Sequence, residues 1–175
     1  MFFFLIALLI VAIIVMLAFL APKRYEVSRS VIIDRPHSGV FEYLKYIKNQ
    51  DHWSPWKKKD PNIKQEYFGI DGEVGFIAKW EGNSDVGSGE QEIIEIVQND
   101  RIEAELRFIR PWKSTSHAIT KVENLGVMQT KVTWGFSGEN EFPVNIFMLF
   151  YNMDKAAGKD FEDGLNSLKA LLEKG

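Results

Sequence analysis

The apolar positions along the chain change their spacing from one stretch to the next. Residues 1 to 21 are apolar without interruption: Phe, Leu, Ile, Val, Ala and Met fill them and no charged residue occurs. At about 1.5 Å per residue a helix of that length reaches about 30 Å, the thickness of a bilayer core. "YEVSRSVIID", residues 25 to 34, then alternates and is rich in Val, Ile and Ser, as a strand is. In "RPHSGVFEYLKYIKNQ" the spacing becomes helical, with Val40, Phe41, Leu44 and Ile47 on one stripe and Pro36 suited to a first turn. Pro55, between Trp53 and Trp56, ends that helical region.

From about residue 62 to 139 the period is two. "EVGFIAKWE" places Val74, Phe76, Ala78 and Trp80 on one face. "RIEAELRFI" places Ile102, Ala104, Leu106 and Phe108 opposite Glu103, Glu105 and Arg107. "GVMQTKVTWGF" gathers Met128, Thr130, Val132, Trp134 and Phe136. Turn signals separate these runs: "IDGE", "GNSD", "QND" and "ENLG". Five or six such strands predict an antiparallel meander with one apolar face. After Pro143, positions Ile146, Phe150, Met153, Ala157, Phe161, Leu165, Leu168 and Leu172 step by three or four, as in one long helix. Gly158 and Gly164 interrupt it; a glycine costs about 1 kcal/mol relative to Ala in a helix, so close packing or a bend should compensate. Only this helix is large enough to cover the apolar face, and a twisted sheet curves away from a straight rod. The expected architecture is α+β: a curved antiparallel β-sheet wrapped around a long C-terminal helix, preceded by one transmembrane helix.

Composition and charge refine this picture. All 21 Lys and Arg lie beyond the apolar run. Its length and the lack of a basic residue ahead of it favour a retained membrane anchor over a cleaved signal peptide. Lys23 and Arg24 follow it, so the positive-inside rule puts the domain on the cytoplasmic side of a single-pass protein. The formal net charge of -3 argues against a nucleic-acid partner. No cysteine is present, and His37, His52 and His117 are far apart, so no metal site is expected. "VGSGE" lacks the Lys of a phosphate loop, and no G-x-S-x-G elbow occurs.

The motif order carries a resemblance. "VSRSVIIDRPHSGVFEYL", followed by Trp53 and Trp56, resembles the opening of the SRPBCC superfamily, the START and polyketide-cyclase-like helix-grip proteins; Ile33, Asp34, Pro36, Val40 and Phe41 carry the pattern. "GSGEQEIIEI" is similar to the family's Gly-x-Gly strand, and "DFEDGLNSLKALLE" to its last helix. The resemblance covers about residues 25 to 173. It implies a START-like ligand-binding domain at 25–175, to which the transmembrane helix read from the apolar run at 1–21 is an addition. It further implies binding of a hydrophobic molecule such as a lipid, quinone or polyketide, with no cofactor. The alternative is a cyclase or hydrolase-type enzyme using the same cavity. The family shares no fixed catalytic set, so no catalytic residue is carried over. The partners expected are thus a hydrophobic small molecule and membrane lipid, the latter through the N-terminal helix.

Candidate ligand-binding residues are Phe76, Trp80, Phe108, Trp112, Trp134 and Phe136 on inner strand faces, with Phe150 and Met153 on the last helix. Aromatic residues dominate ordinary cores too, so core alone and core plus pocket both fit these residues. Trp53 and Trp56 are read first as packing and second as a gate. Lys57, Lys58 and Lys59 are read as a solvated loop, with anionic lipid as the other option. "FPVNIFMLFYNM" is apolar nearly all round, which suits either burial beneath the helical pair or a mouth meeting ligand or lipid. Alternation points His117 outward, Ser116 inward, and Glu90, Glu92 and Arg107 to the solvated face. Ser116, Thr130 and Glu90 are the polar candidates for chemistry, none with an evident activating partner.

Overall fold

The computed structural model describes residues 2–174, in the order α1 (Phe2–Leu20), β1 (Arg24–Ile33), α2 (His37–Lys45), a 3-10 turn (Ile47–His52), α3 (Pro55–Lys59), six strands and two helices. The strands are β2 (Lys64–Phe68), β3 (Ile77–Glu81), β4 (Ser88–Val97), β5 (Arg101–Arg110), β6 (Ser114–Gly126) and β7 (Gln129–Glu139). The final helices are α4 (Val144–Phe147) and α5 (Met153–Lys174). All seven strands form one antiparallel sheet in the order β1-β7-β6-β5-β4-β3-β2. The meander from β2 to β7 follows from short polar turns joining period-two runs, and β1 closes it by pairing with the last strand.

α5 lies across the concave face, chiefly against β1, while α2 covers the β6–β7 end of that face. Val40, Phe41, Leu44 and Ile47 are all buried, so the helical stripe between the first strand and the tryptophans faces the core. Beneath α5 the core is Trp134, Phe161, Leu165 and Leu168 with Trp53. Both helix glycines mark close approaches. A Cβ on Gly164 would stand 2.8 Å from Trp134 Cζ3 and 3.1 Å from Pro55 Cδ. Gly158 lies in the same way against the Arg29 guanidinium, which pairs with Asp154 at 2.8 Å.

Three expectations are corrected. The C-terminal helix is two helices, because a turn at 148–152 interrupts the apolar stripe. Asn152 starts the second helix: its Oδ1 accepts from Lys155 N at 2.9 Å, an N-cap bond that satisfies one otherwise orphaned donor. Val74 and Met128 are exposed in turns rather than on the inner face, since β3 begins only at Ile77 and β7 only at Gln129. Lys57, Lys58 and Lys59 stand on α3 rather than in a loop, with Pro55 at its first turn. Their ammonium groups reach Gln65 Oε1 at 3.1 Å, Ser167 Oγ at 2.9 Å and Asp160 Oδ2 at 2.6 Å. These contacts tie α3 to β2 and α5.

Candidate functional site

Strand register orders the concave face into rows. One row, near the start of β1, is Tyr25, Gly138, Ser116, Leu106, Gln91, Ala78 and Tyr67. Beside it, toward the β5–β6 turn, run Ser114, Phe108, Gly89, Trp80 and Gln65. In these two rows the large side chains Tyr25, Leu106, Phe108, Trp80 and Tyr67 are half-buried. The next row inward, Val27, Phe136, Ala118, Ala104 and Ile93, is buried apart from Phe136. The face is therefore filled toward α2 and open at the end where α1 meets β1. That open end is the candidate site.

Its walls are aromatic pairs. Trp80 meets Phe108 edge to face at 5.8 Å, and Tyr25 meets Phe136 at 5.5 Å. Gly89 makes the first pair possible: a Cβ there would stand 2.7 Å from Trp80 Cζ2, so only a bare backbone lets the indole lie over β4. The polar groups are few. Tyr25 and Ser116 hydroxyls share a hydrogen bond of 2.7 Å. At the β2 edge, Gln65 Nε2 donates to Asp51 Oδ1 at 2.8 Å and the Tyr67 hydroxyl donates to Asp51 Oδ2 at 3.3 Å. Burial, with Asp51 beside it, pushes the Tyr67 phenol up to about 12, so it stays a donor near neutral pH. An apolar wall with a few fixed donors and acceptors can hold and orient an apolar molecule bearing one polar group.

The predicted residues divide between this end, the core and the surface. Trp80, Phe108, Phe136 and Met153 are half-buried on or beside the open end. Phe76 is buried and stacks on Tyr67 at 6.0 Å. Trp134 is buried in a packed cluster, 4.7 Å from Trp53, 5.2 Å from Trp56 and 4.5 Å from Phe161. Trp53, 1 % exposed, is thus packing at the centre of the grip, with Trp56 beside it. Two placements are corrected. Trp112 is 69 % exposed, because Pro111 and the turn after β5 delay β6 until Ser114 and leave it off the inner face. Phe150 is 82 % exposed in the turn between α4 and α5, not on the last helix. Tyr25, Leu106, Gln91 and Tyr67 are additions; all but Gln91 lie on the apolar side of alternating strands, which is the signal that points to them.

The opposite face carries charge. Arg107 binds Glu90 at 2.6 Å, Glu92 at 2.7 Å and Glu105 at 2.5 Å. Arg101 binds Glu95, Asp100 and Glu103, and His117 Nε2 lies 2.8 Å from Glu103 Oε2. Arg107 holds the Glu90 carboxyl below its ordinary value, and Arg101, then His117, do the same for Glu103. Glu90 and His117 are therefore surface partners, as alternation predicts. Thr130 donates to Arg35 O at 2.8 Å and joins β7 to the start of α2. Of the polar candidates only Ser116 stands at the open end of the concave face; Thr130 shares that face but is fully buried at its α2 end. A solvent-open recess of about 720 Å³ is lined mostly by outer-face groups, including Glu105, Thr115, His117 and Ser137. A second, of about 490 Å³, lies between the start of α2 and the β6–β7 turn. Neither lining includes a predicted aromatic residue.

A curved antiparallel sheet gripping a long C-terminal helix, with an aromatic inner face, is a helix-grip fold, the architecture that the sequence resemblance implies. Solved structures share this architecture at low identity. Truncated norcoclaurine synthase from Thalictrum flavum has a TM-score of 0.66 at 9% identity, with 87% of this chain and 95% of that one covered. Major latex-like protein 151 from Panax ginseng has a TM-score of 0.61 at 12% identity, covering 86% and 98%. The Aha1 dimer from Colwellia psychrerythraea has 0.54 at 15%, covering 86% and 99%. No protein-family model matches the chain, and no curated protein matches its sequence.

Proposed function

We propose that this chain is a membrane-anchored binder of a hydrophobic small molecule, held at the open aromatic end of its concave face. The observation that carries the reading is the half-burial of Trp80, Phe108, Leu106, Tyr25 and Phe136 together on one inner surface. Large apolar side chains left half-exposed on a concave face are short of packing partners, and an apolar ligand supplies them. The fold shared with norcoclaurine synthase and the major latex-like protein supports the architecture of such a site. Anchoring rests on α1, whose 19 residues are long and apolar enough to cross a bilayer. A signal sequence meets the same criterion. The retained reading is supported by Asn145, whose Nδ2 donates to Ala18 O at 3.0 Å and so ties the helix end to the folded domain. A cytoplasmic domain is supported by Lys23 and Arg24, which follow α1 directly.

The test uses the full chain in lipid nanodiscs, titrated with a short-chain quinone that quenches indole emission on contact. Saturable quenching that falls by at least half in Trp80→Leu, with little change in Trp112→Leu, is the expected result. Linear, non-saturating quenching in all three proteins, with no apolar molecule recovered from the purified chain by organic solvent, would sink the proposal. A cyclase or hydrolase role has one observation in its favour, the Tyr25–Ser116 hydroxyl pair in the same face. Neither hydroxyl is hydrogen-bonded to a His or carboxylate in that pair, so nothing there activates a nucleophile, and binding is the better reading.

A further inference from the structure

The segment between β7 and α5 exposes an unusual run of large apolar side chains. Phe142, Val144, Phe147, Leu149, Phe150 and Tyr151 all face solvent, with Phe147 at 67 % and Phe150 at 82 % exposure. Scattered apolar residues on a surface need no explanation, but a contiguous group of this size marks something that covers it. Its position says what. Asn145, 1 % exposed in the middle of the segment, donates from Nδ2 to Ala18 O at 3.0 Å. That carbonyl belongs to the last turn of α1, so α4 is fastened at the level where α1 ends.

Resting on the anchoring proposed above, this contact sets a depth. A helix of 19 residues is about 28 Å long and ends close to the boundary between acyl chains and headgroups. A short helix held at that turn lies in the same layer, where Phe and Tyr side chains partition well. Lys23 and Lys113 stand at the same end of the molecule, on the α1–β1 junction and the β5–β6 turn, as basic groups facing an anionic headgroup layer would, while Arg24 beside them is paired with Glu139 at 2.7 Å. Exposed Trp112 is on that turn as well. Because α1 already tethers the domain, insertion of the segment is intramolecular, and a contact too weak to hold a free protein suffices. We infer that residues 142 to 151 form a lipid-inserted foot, seated in the interfacial layer of the membrane that α1 spans.

The chain has no cysteine, so single labels can be placed without removing native ones. Nitroxides go on the full chain at Ile10→Cys, Phe147→Cys, Phe150→Cys and Val127→Cys, in nanodiscs of neutral and anionic phospholipid. The first marks the middle of α1. The last lies in the β6–β7 turn at the opposite end of the sheet, 89 % exposed. Collision with oxygen reports lipid, and collision with a water-soluble nickel chelate reports water. Positions 147 and 150 should show an oxygen-to-nickel ratio several-fold above position 127, approaching position 10. Equal ratios at 147, 150 and 127, with position 10 buried, would overturn the foot and leave the anchor standing. Nickel access at position 10 overturns the anchor and the foot together. Positions 147 and 150 shielded from both reagents would mean that protein, such as a second copy, covers the segment, and also overturns the proposal. All of these labelled side chains are exposed in the chain alone, so loss of folding is not a route to a false negative.

Discussion

Gly164 is where one missing carbon decides how closely a helix can approach. In an exposed helix, Gly→Ala gains about 1 kcal/mol from propensity. Here the added Cβ would press on Trp134 Cζ3 at 2.8 Å and Pro55 Cδ at 3.1 Å, atoms held by the cluster of Trp53, Trp56 and Phe161. Overpacking a filled core costs about 1–3 kcal/mol, so the steric term outweighs the propensity. Gly164→Ala should therefore lower Tm by several degrees rather than raise it, read by near-ultraviolet circular dichroism of the tryptophans. A rise in Tm would show that the Trp134 ring has room to yield. The side chains most visible in the sequence were those whose strand ran through them without a break. His117 outward and Ser116 inward follow from alternation alone. Trp112 defeats the same rule because the phase is lost at Pro111, where the chain turns.

The elements themselves were largely legible, since each has a strong period and clear ends. The sheet order follows from short turns, and the covering helix from the lack of any other candidate. What periodicity hid is the break between α4 and α5: apolar spacing continues through residues 148–152, although Asn152 followed by Asp154 is a helix start. The half-open rows of the site were also hidden, because a sequence shows which face is apolar but not how far along it the helices reach. On the outer face, β4, β5 and β6 are linked by ion pairs, and these give the sheet a pH dependence with a definite sign. Glu90 and Glu103 both ionise more readily folded than unfolded. Their contribution to stability is thus complete above the ordinary carboxylate value of about 4.5 and is lost as pH falls through the lower folded value. Denaturant midpoints should be level from pH 7 to about 5.5 and fall below about pH 4.5. In the double variant Glu90→Gln, Glu103→Gln the midpoint should start lower at pH 7 and fall less steeply in acid. An acid limb as steep as that of the native chain would assign the loss to other carboxylates.

At the scale of the whole molecule, two gradients point the same way. Burial on the concave face decreases toward the start of β1, and exposed apolar surface collects around that same end, where α1 leaves the domain. If the proposed anchor and foot hold, the open end faces the bilayer at close range, and an apolar ligand can enter without crossing water. Transfer through water exposes the ligand's whole apolar surface, at about 25 cal/mol per Å², so direct entry removes a large barrier. This makes position, rather than affinity, the quantity to perturb. A rigid helical spacer of about 15 residues placed after Pro22 would lift the domain by about 20 Å. Affinity for a short-chain, water-soluble quinone analogue should not change, because the concave face is untouched. Loading with a long-chain quinone already dissolved in the nanodisc should slow by at least tenfold. Equal loading rates with and without the spacer would mean that the ligand reaches Trp80 and Phe108 through water, and that the alignment of open end and anchor plays no part in uptake.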